Sequence, residues 1–354
     1  MTGVFSLHID ENRWRAHLDH VADATPGLVP VIKGNGYGFG RELLCAEATR
    51  LGVDLIAVGT YAEVPSALAT FGGDVMVLTP WRPFLSDLHA AEPGRDGRVI
   101  HTVGRIDDVA DLAARAPGAR VVVEGETSMS RHGLDRHELA EAVAALGELV
   151  VEGFAIHLPL NNPAPGGNLA EAQSWAGALM ASQLDTTTLF VSHLTAVEST
   201  VLSEARPQLT VRRRIGTSMW LGDLGALSVR AQVLDRHTVA RGEKVGYRQR
   251  SMPRDGVLLV VAGGTSHGVG LEAPRAGGGI KQRGKTFAKG GLEAAGLSLS
   301  PFTVSGKQRW FAEPPHMQVS LVFLPADVPA PEVGAELDVA VRFTTATFDR
   351  VLWD

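Results

Sequence analysis

The sequence predicts an α/β protein, a (β/α)8 barrel followed by a mainly antiparallel β domain. Three observations predict it. Eight short runs rich in Val, Ile and Leu alternate with amphipathic stretches up to about residue 220; polar residues gather at the carboxyl ends of those runs; and helical periodicity vanishes after about residue 225. The chain of 354 residues is long enough for a barrel and a second unit, expected at 1–225 and 226–354.

The strand candidates are residues 28–33 (LVPVIK), 54–59 (DLIAVG), 75–79 (VMVLT), 98–103 (RVIHTV), 120–125 (RVVVEG), 151–157 (VEGFAIH), 189–194 (LFVSHL) and 211–217 (VRRRIGT). Between them, residues 41–52, 106–116 and 136–147 have helical spacing, the second with acidic residues in its first turn. Eight parallel strands with crossovers close into a barrel whose active site sits at the carboxyl rim. Lys33, Thr79, Glu124, His157, His193 and Arg214 fall on that rim. One polar strand end is ordinary, whereas six on one rim point to a site. Beyond residue 225, residues 231–247, 256–263 and 317–325 alternate apolar and polar between Gly/Pro turns, as antiparallel strands do. Residues 274–292, rich in Gly and basic side chains, read as a long exposed loop.

Composition narrows the function. Charged residues make up 20% and the formal net charge is -6, so a nucleic-acid partner is not expected. Cys45 is the single cysteine, which leaves no intramolecular disulfide or thiolate zinc cluster; no metal site is expected. The opening segment lacks a leader pattern, and no run approaches the roughly 18 apolar residues of a membrane helix. A cytoplasmic protein without a membrane partner is expected.

Lys33 is the residue that suggests chemistry. It ends an apolar run that a barrel would bury, and a desolvated lysine has a lowered pKa and a usable nucleophilic amine. The glycines at 34, 36, 38 and 40 let the backbone approach a ligand closely, and no P-loop pattern is present. A buried amine beside a phosphate-binding loop fits covalent attachment of pyridoxal 5'-phosphate.

The stretch IKGNGYGFG, residues 32–40, resembles the VKANAYGHG cofactor motif of alanine racemases. Other landmarks occur in the same order. Residues 127–133 (TSMSRHG) resemble the family's TGMGRLG loop, His157 matches its strand-six histidine, residues 214–217 (RIGT) its RPGI segment, and residues 244–247 (KVGY) its VSYG segment. The opening FSLHIDENRWRAHLDHV resembles the family's entry strand and first helix. The resemblance implies that Lys33 holds the cofactor, that Tyr37, Thr195 and the backbone at Gly216 and Thr217 bind its phosphate, and that Arg214 faces the pyridine nitrogen. It further implies a two-base racemisation by Lys33 and Tyr247, the tyrosine entering from the partner of a homodimer. Arg131 would steady the cofactor phenolate and substrate carboxylate, His157 would bridge Arg214 and the tyrosine, and Met317 would offer a backbone N–H. Glu124 stands where the family often has a carbamylated lysine, and either orients Arg131 or is a solvated strand-end acid.

The chain departs from the family in four places, one being residues 351–354 (VLWD), which lack the family's late tyrosine. Residues 263–268 read GGTSHG for GYADG, residues 315–318 read PHMQ for a CMDQ-like run, and 191–199 (VSHLTAVES) differs from HxANS. The expected substrate is a small amino acid, alanine by default. The alternatives are racemisation or epimerisation of another amino acid, and a non-catalytic pyridoxal-phosphate carrier, which would need neither Tyr247 nor a second domain. The glutamate motif of the family's decarboxylases and the His/Cys pair of its zinc-dependent dehydratases are missing.

Overall fold

A computed structural model describes residues 4–85, 96–271 and 298–354, so the loop expected at 274–292 lies outside the described residues. The chain forms two compact units: one comprises Ala16–Gly36 and Gly40–Gly222, the other Met1–Arg15, Tyr37–Phe39 and Asp223–Asp354. The first strand, β1 (Phe5–Ile9), belongs to the second of these, because it pairs antiparallel with β10 (Leu227–Val239) and parallel with β18 (Arg350–Trp353). The linear division expected at residue 225 is therefore redrawn at the amino end, where backbone pairing with distant strands decides membership.

The barrel unit contains β2 (Val29–Pro30), β3 (Leu55–Val58), β4 (Asp74–Val77), β5 (Val99–Val103), β6 (Arg120–Gly125), β7 (Val150–His157), β8 (Thr188–Ser192) and β9 (Thr210–Ile215). All neighbours are parallel, in the order β2-β9-β8-β7-β6-β5-β4-β3, and a bridge between Val31 and Ala57 joins the two ends. β2 is short because Pro30 has no N–H to offer the ladder. Helix α1 (Glu11–Asp23) leads in from the other unit, its first turn capped by the Asp10 carboxylate on the Arg13 N–H at 3.0 Å. Helices α2 (Arg41–Arg50), α3 (Val64–Thr70), α4 (Ile106–Arg115), α5 (Leu139–Ala145), α6 (Gly167–Ala181), α7 (Ala196–Ala205) and α8 (Thr217–Trp220) connect the strands. The α5 helix begins later than its spacing predicts, since the Asp135 carboxylate takes the His137 and Glu138 N–H groups and holds a turn there.

The barrel interior is filled by Val29, Val31, Leu55, Ala57, Met76, Ile100, Val122, Ala155 and Phe190, all buried. It is a packed core and not a pore. A register shift lies between β6 and β7, where Val121 pairs with Val151 and Val122 with Gly153. Such a shift turns the remainder of both strands, here the ends carrying Glu124 and His157.

In the other unit, β13 (Gly256–Ala262), β16 (Val319–Pro325), β15 (Lys307–Phe311), β14 (Leu299–Val304), β17 (Glu336–Val339) and β10 pair in that order, and a β13–β10 pairing closes an antiparallel barrel. A small hairpin, β11 (Lys244–Val245) with β12 (Arg250–Ser251), projects from it. Among the described residues, no helix is long and apolar enough to cross a membrane.

Gly153 marks tight packing in the barrel wall, because a Cβ there would lie 2.5 Å from the Phe190 ring. Gly153→Ala is expected to cost about 1–3 kcal/mol through overpacking. Thermal unfolding should show the loss, whereas Gly118→Ser, where no atom lies within 4 Å but φ is 79°, tests backbone strain alone.

Candidate active site

The parallel barrel brings the carboxyl ends of its strands to one rim, and the expected site residues of that unit gather there. Lys33 follows Val31 and Ile32, whose N–H groups still bond the Ile215 and Ala57 carbonyls at 2.8 and 2.7 Å, and its side chain is exposed and not buried as the sequence predicts. Its ammonium is still destabilised: partial desolvation is the main cause, Arg131 and Arg214 add to it, and Glu63 opposes. Glu63 carries no signal in the sequence. Its carboxylate accepts the Gly34 N–H at 2.9 Å and the Gly59 N–H at 2.7 Å, tying the segment after Lys33 to the end of β3. Gly59 itself leaves room for the lysine, since a Cβ would sit 3.0 Å from Lys33 Cβ.

Arg214 is only 5% exposed and donates from Nη2 to the Ile156 carbonyl at 2.8 Å and to Ser192 Oγ at 3.2 Å. Among the described residues its Nε has no hydrogen-bond partner. Ser192 Oγ also lies 2.8 Å from His157 Nδ1. Ser192 accepts from Arg214 and still has its own proton to give to Nδ1, an arrangement that predicts the His157 proton on Nε2. The link from His157 to Arg214 thus runs through Ser192, a residue the sequence does not single out, and not directly.

Burial first, then the cationic neighbours Arg214 and Arg131, push the His157 pKa down to about 3. His157 is neutral at any working pH. His193 packs edge-on against it at 5.0 Å with a left-handed backbone, φ 59, and is also pushed down by desolvation and by Arg214.

Glu124 is 3% exposed, which excludes the solvated-acid reading. No hydrogen bond joins it to Arg131, and among the described residues its Oε2 is unpartnered. It acts on the arginines through charge instead. Burial leaves its pKa raised, against the opposing pull of Arg214, Arg131 and Arg82. Arg131 sits on an exposed loop whose shape is fixed from below, as Ser128 donates from N and Oγ to Glu171 of α6 at 2.6 Å each and Thr127 Oγ1 donates to the His157 carbonyl at 2.6 Å. Lys33, Arg131 and Arg214 therefore leave the rim with a cationic excess over Glu124 and Glu63, suited to phosphate and carboxylate.

Two rim residues serve the fold. Thr79 Oγ1 donates to the Gly59 carbonyl at 2.6 Å. The Thr195 hydroxyl donates to Glu198 Oε2 at 2.8 Å and accepts the Glu198 N–H, a capping box that opens α7. Its one proton is committed, so it has none for a phosphate. Gly216 and Thr217 begin α8, where backbone N–H groups lack helical acceptors. Tyr37 is buried in left-handed geometry, φ 54.

In the β unit, Tyr247 is 85% exposed at the tip of the β11–β12 hairpin. Its N–H donates to Glu313 Oε1 at 3.1 Å, and its ring lies 4.5 Å from that of His316. Met317 is 67% exposed, with its carbonyl held by Ser266 Oγ at 2.6 Å. The altered GGTSHG segment is an ordered turn: His267 Nε2 lies 3.3 Å from Asp349, and the ring packs on Phe5.

A parallel barrel with a lysine and a buried arginine on its rim, succeeded by an antiparallel β barrel, is the two-unit architecture of the alanine racemase fold. Residues 9–221 match the model of the alanine racemase N-terminal domain, and the chain belongs to the alanine racemase family. It is 22% identical over 251 residues to alanine racemase from Campylobacter jejuni subsp. jejuni strain 81-176, covering 68% of this chain and 71% of that protein. Identity to alanine racemase from Nitratidesulfovibrio vulgaris strain DP4 is 26% over 259 residues, 67% of each chain. The fold matches alanine racemase from Bartonella henselae, solved with covalently bound pyridoxal phosphate, with a TM-score of 0.70, 15% identity and full coverage of both chains.

The hydrogen bond from Ser192 predicts one tautomer of His157. In the cofactor-free protein, imidazole nitrogen shifts should report the Nε2–H form unchanged between about pH 5 and 9, since a ring with a pKa near 3 does not titrate there. Ser192→Ala should free Nδ1 and cost about 1–3 kcal/mol in stability. A His157 signal titrating near the ordinary histidine value would refute the assignment.

Proposed function

We propose that this protein racemises a small amino acid, alanine by default, using pyridoxal 5'-phosphate and two acid/base groups. The observation that carries the reading is the buried Arg214 guanidinium with its unpartnered Nε, next to a rim lysine with a weakened ammonium. A buried donor without an acceptor costs free energy, and the pyridine nitrogen of the cofactor is an acceptor of the right kind. The residues therefore fit the group.

When bound, the cofactor supplies an aldehyde that takes up the amino group and a conjugated ring that acidifies Cα. Lys33 would hold it, with Arg214 at its ring nitrogen, and the backbone of Gly216 and Thr217 with Tyr37 at its phosphate. Thr195, with its hydroxyl engaged, is a poorer phosphate ligand than the sequence implies.

The rest is done by this chain's own side chains. Arginine donates but does not release its proton, so Arg214 leaves the ring nitrogen unprotonated and restrains the side reactions that a stronger electron sink would permit. Lys33 Nζ moves the proton on one face of Cα. Tyr247 Oη of a second copy moves it on the other, and its exposure on a short hairpin suits a contribution across a two-fold interface. Arg131 binds the substrate carboxylate, with the Met317 N–H of the second copy beside it. His157 offers its Nε2–H as a donor to the tyrosine oxygen and stays neutral throughout. Glu124 balances the arginines.

His316 and Gln318 stand in the altered run beside Met317, so an amino acid other than alanine is the favoured second reading.

Borohydride reduction and then peptide mapping should place the cofactor on Lys33, and Lys33→Ala should lose the visible absorbance. Label on another lysine would overturn the reading. In deuterated solvent, wild-type protein should exchange the Cα proton of both enantiomers of a small amino acid. Tyr247→Phe should suppress exchange from one enantiomer by roughly a hundred- to ten-thousand-fold. Mixing Lys33→Ala with Tyr247→Phe protein should restore up to about a quarter of wild-type activity through hybrid sites of a two-fold dimer. Bound cofactor with no exchange from any amino acid would favour a carrier.

A further inference from the structure

We propose that Glu313 and His316 are positioning residues that aim the Tyr247 phenol, the first by fixing the backbone that bears it and the second by bracing its ring. The inference rests on the reading of Tyr247 as the second acid/base.

Glu313 is 2% exposed, a carboxylate buried directly beneath an exposed hairpin tip. Its oxygens accept from the Tyr247 N–H at 3.1 Å, the Arg248 N–H at 3.3 Å and His316 Nε2 at 2.7 Å. Burying a carboxylate is costly, and here three donors offset the cost. Burial would raise its pKa, but the His316 bond and the two backbone donors leave it lowered, so it remains an anion. Gly246 makes the approach possible: its φ is 73°, and a Cβ there would sit 2.2 Å from the carboxylate.

His316 is itself held at both backbone groups, its N–H on the Val319 carbonyl at 2.9 Å and its carbonyl on the Thr265 N–H at 2.8 Å. With Nε2 on Glu313, the ring has one orientation, 4.5 Å from the Tyr247 ring at 42°. The base of the hairpin is packed as firmly, as Val245 and Met252 are buried with Ala312, Leu321 and Phe323. An exposed tyrosine would otherwise sample several rotamers. Restricting it keeps the phenol oxygen where proton transfer needs it, and an error of about 1 Å there is worth on the order of a hundredfold in rate.

The test uses Glu313→Ala, Glu313→Gln and His316→Ala, with Tyr247→Phe alongside. In the holoenzyme, Cα exchange is monitored from L- and D-alanine in deuterated solvent. Glu313→Ala and His316→Ala should slow exchange from the Tyr247-dependent enantiomer by on the order of ten- to a hundredfold, leave the other within about twofold, and leave KM unchanged. Glu313→Gln, which keeps an oxygen for the Tyr247 N–H and folds if the alanine variant does not, should recover most of the rate.

A second readout needs no cofactor. With only three tyrosines in the chain, ring signals of labelled protein are assignable by Tyr247→Phe. The Tyr247 signals should lose their ring-current shift in His316→Ala, and the Tyr247 amide should exchange with solvent faster in Glu313→Ala.

Equal slowing of both enantiomers, no slowing, or unchanged Tyr247 signals would overturn the positioning role while Tyr247→Phe remained asymmetric. Symmetric exchange in Tyr247→Phe would instead remove the reading of Tyr247 itself, and the positioning role with it.

Discussion

A guanidinium buried at the mouth of a barrel is the constraint on which the site is built. Arg214 is buried on β9, and the low-polarity surroundings that destabilise its charge make every acceptor near it matter. Nη2 takes the Ile156 carbonyl of β7 and the Ser192 hydroxyl of β8, so one side chain ties together the ends of neighbouring strands. Glu124 on β6 supplies charge without a hydrogen bond to it. The charge of Arg214 adds to the desolvation that keeps His157 neutral and lowers the affinity of Lys33 for a proton. The rim is one electrostatic unit rather than a set of separate ligands.

Much of this was legible in the sequence because barrel strands announce themselves. Runs such as VVVEG and FAIH are apolar on both faces and end in a functional side chain, a pattern that parallel burial imposes. The catalytic candidates are legible from the glycine-rich segment after Lys33 together with residues 127–133, 214–217 and 244–247. The residues that support them are hidden. Ser192, Glu63, Glu171 and Glu313 are ordinary residues at ordinary spacings, and their roles arise from strands and turns distant in the chain: Glu63 lies 29 residues from the amide of Gly34, Glu313 66 from that of Tyr247. The exposure of Lys33 is hidden too, because the apolar run VPVI is buried as it suggests and the change to exposure falls at the lysine itself. The Thr195 hydroxyl reads as a phosphate ligand, but a threonine with a glutamate three residues later is also a helix start, and the capping geometry prevails.

The departures from the family motifs have local physical explanations. In the altered GGTSHG segment His267 contacts Asp349, which also caps the N–H groups of Val4 and Phe5. His316 replaces a cysteine and finds its partner in Glu313. Each substitution comes with a carboxylate that satisfies it, so the altered segments read as a coherent alternative arrangement and not as decay of the motif.

The placement of β1 has a consequence for synthesis. This strand must pair with β10 and β18, so the Phe5 amide reaches its partner carboxylate at Asp349 only across 344 residues of chain. At typical translation rates of about 5–20 residues per second, the first strand waits on the order of ten seconds or more after leaving the ribosome before its neighbours exist. The barrel unit, whose strands pair almost wholly in chain order, can assemble during that interval. Nascent chains should thus pass through a stage with a folded barrel and an unpaired apolar amino-terminal strand, the stage at which chaperone binding or aberrant pairing between chains is favoured.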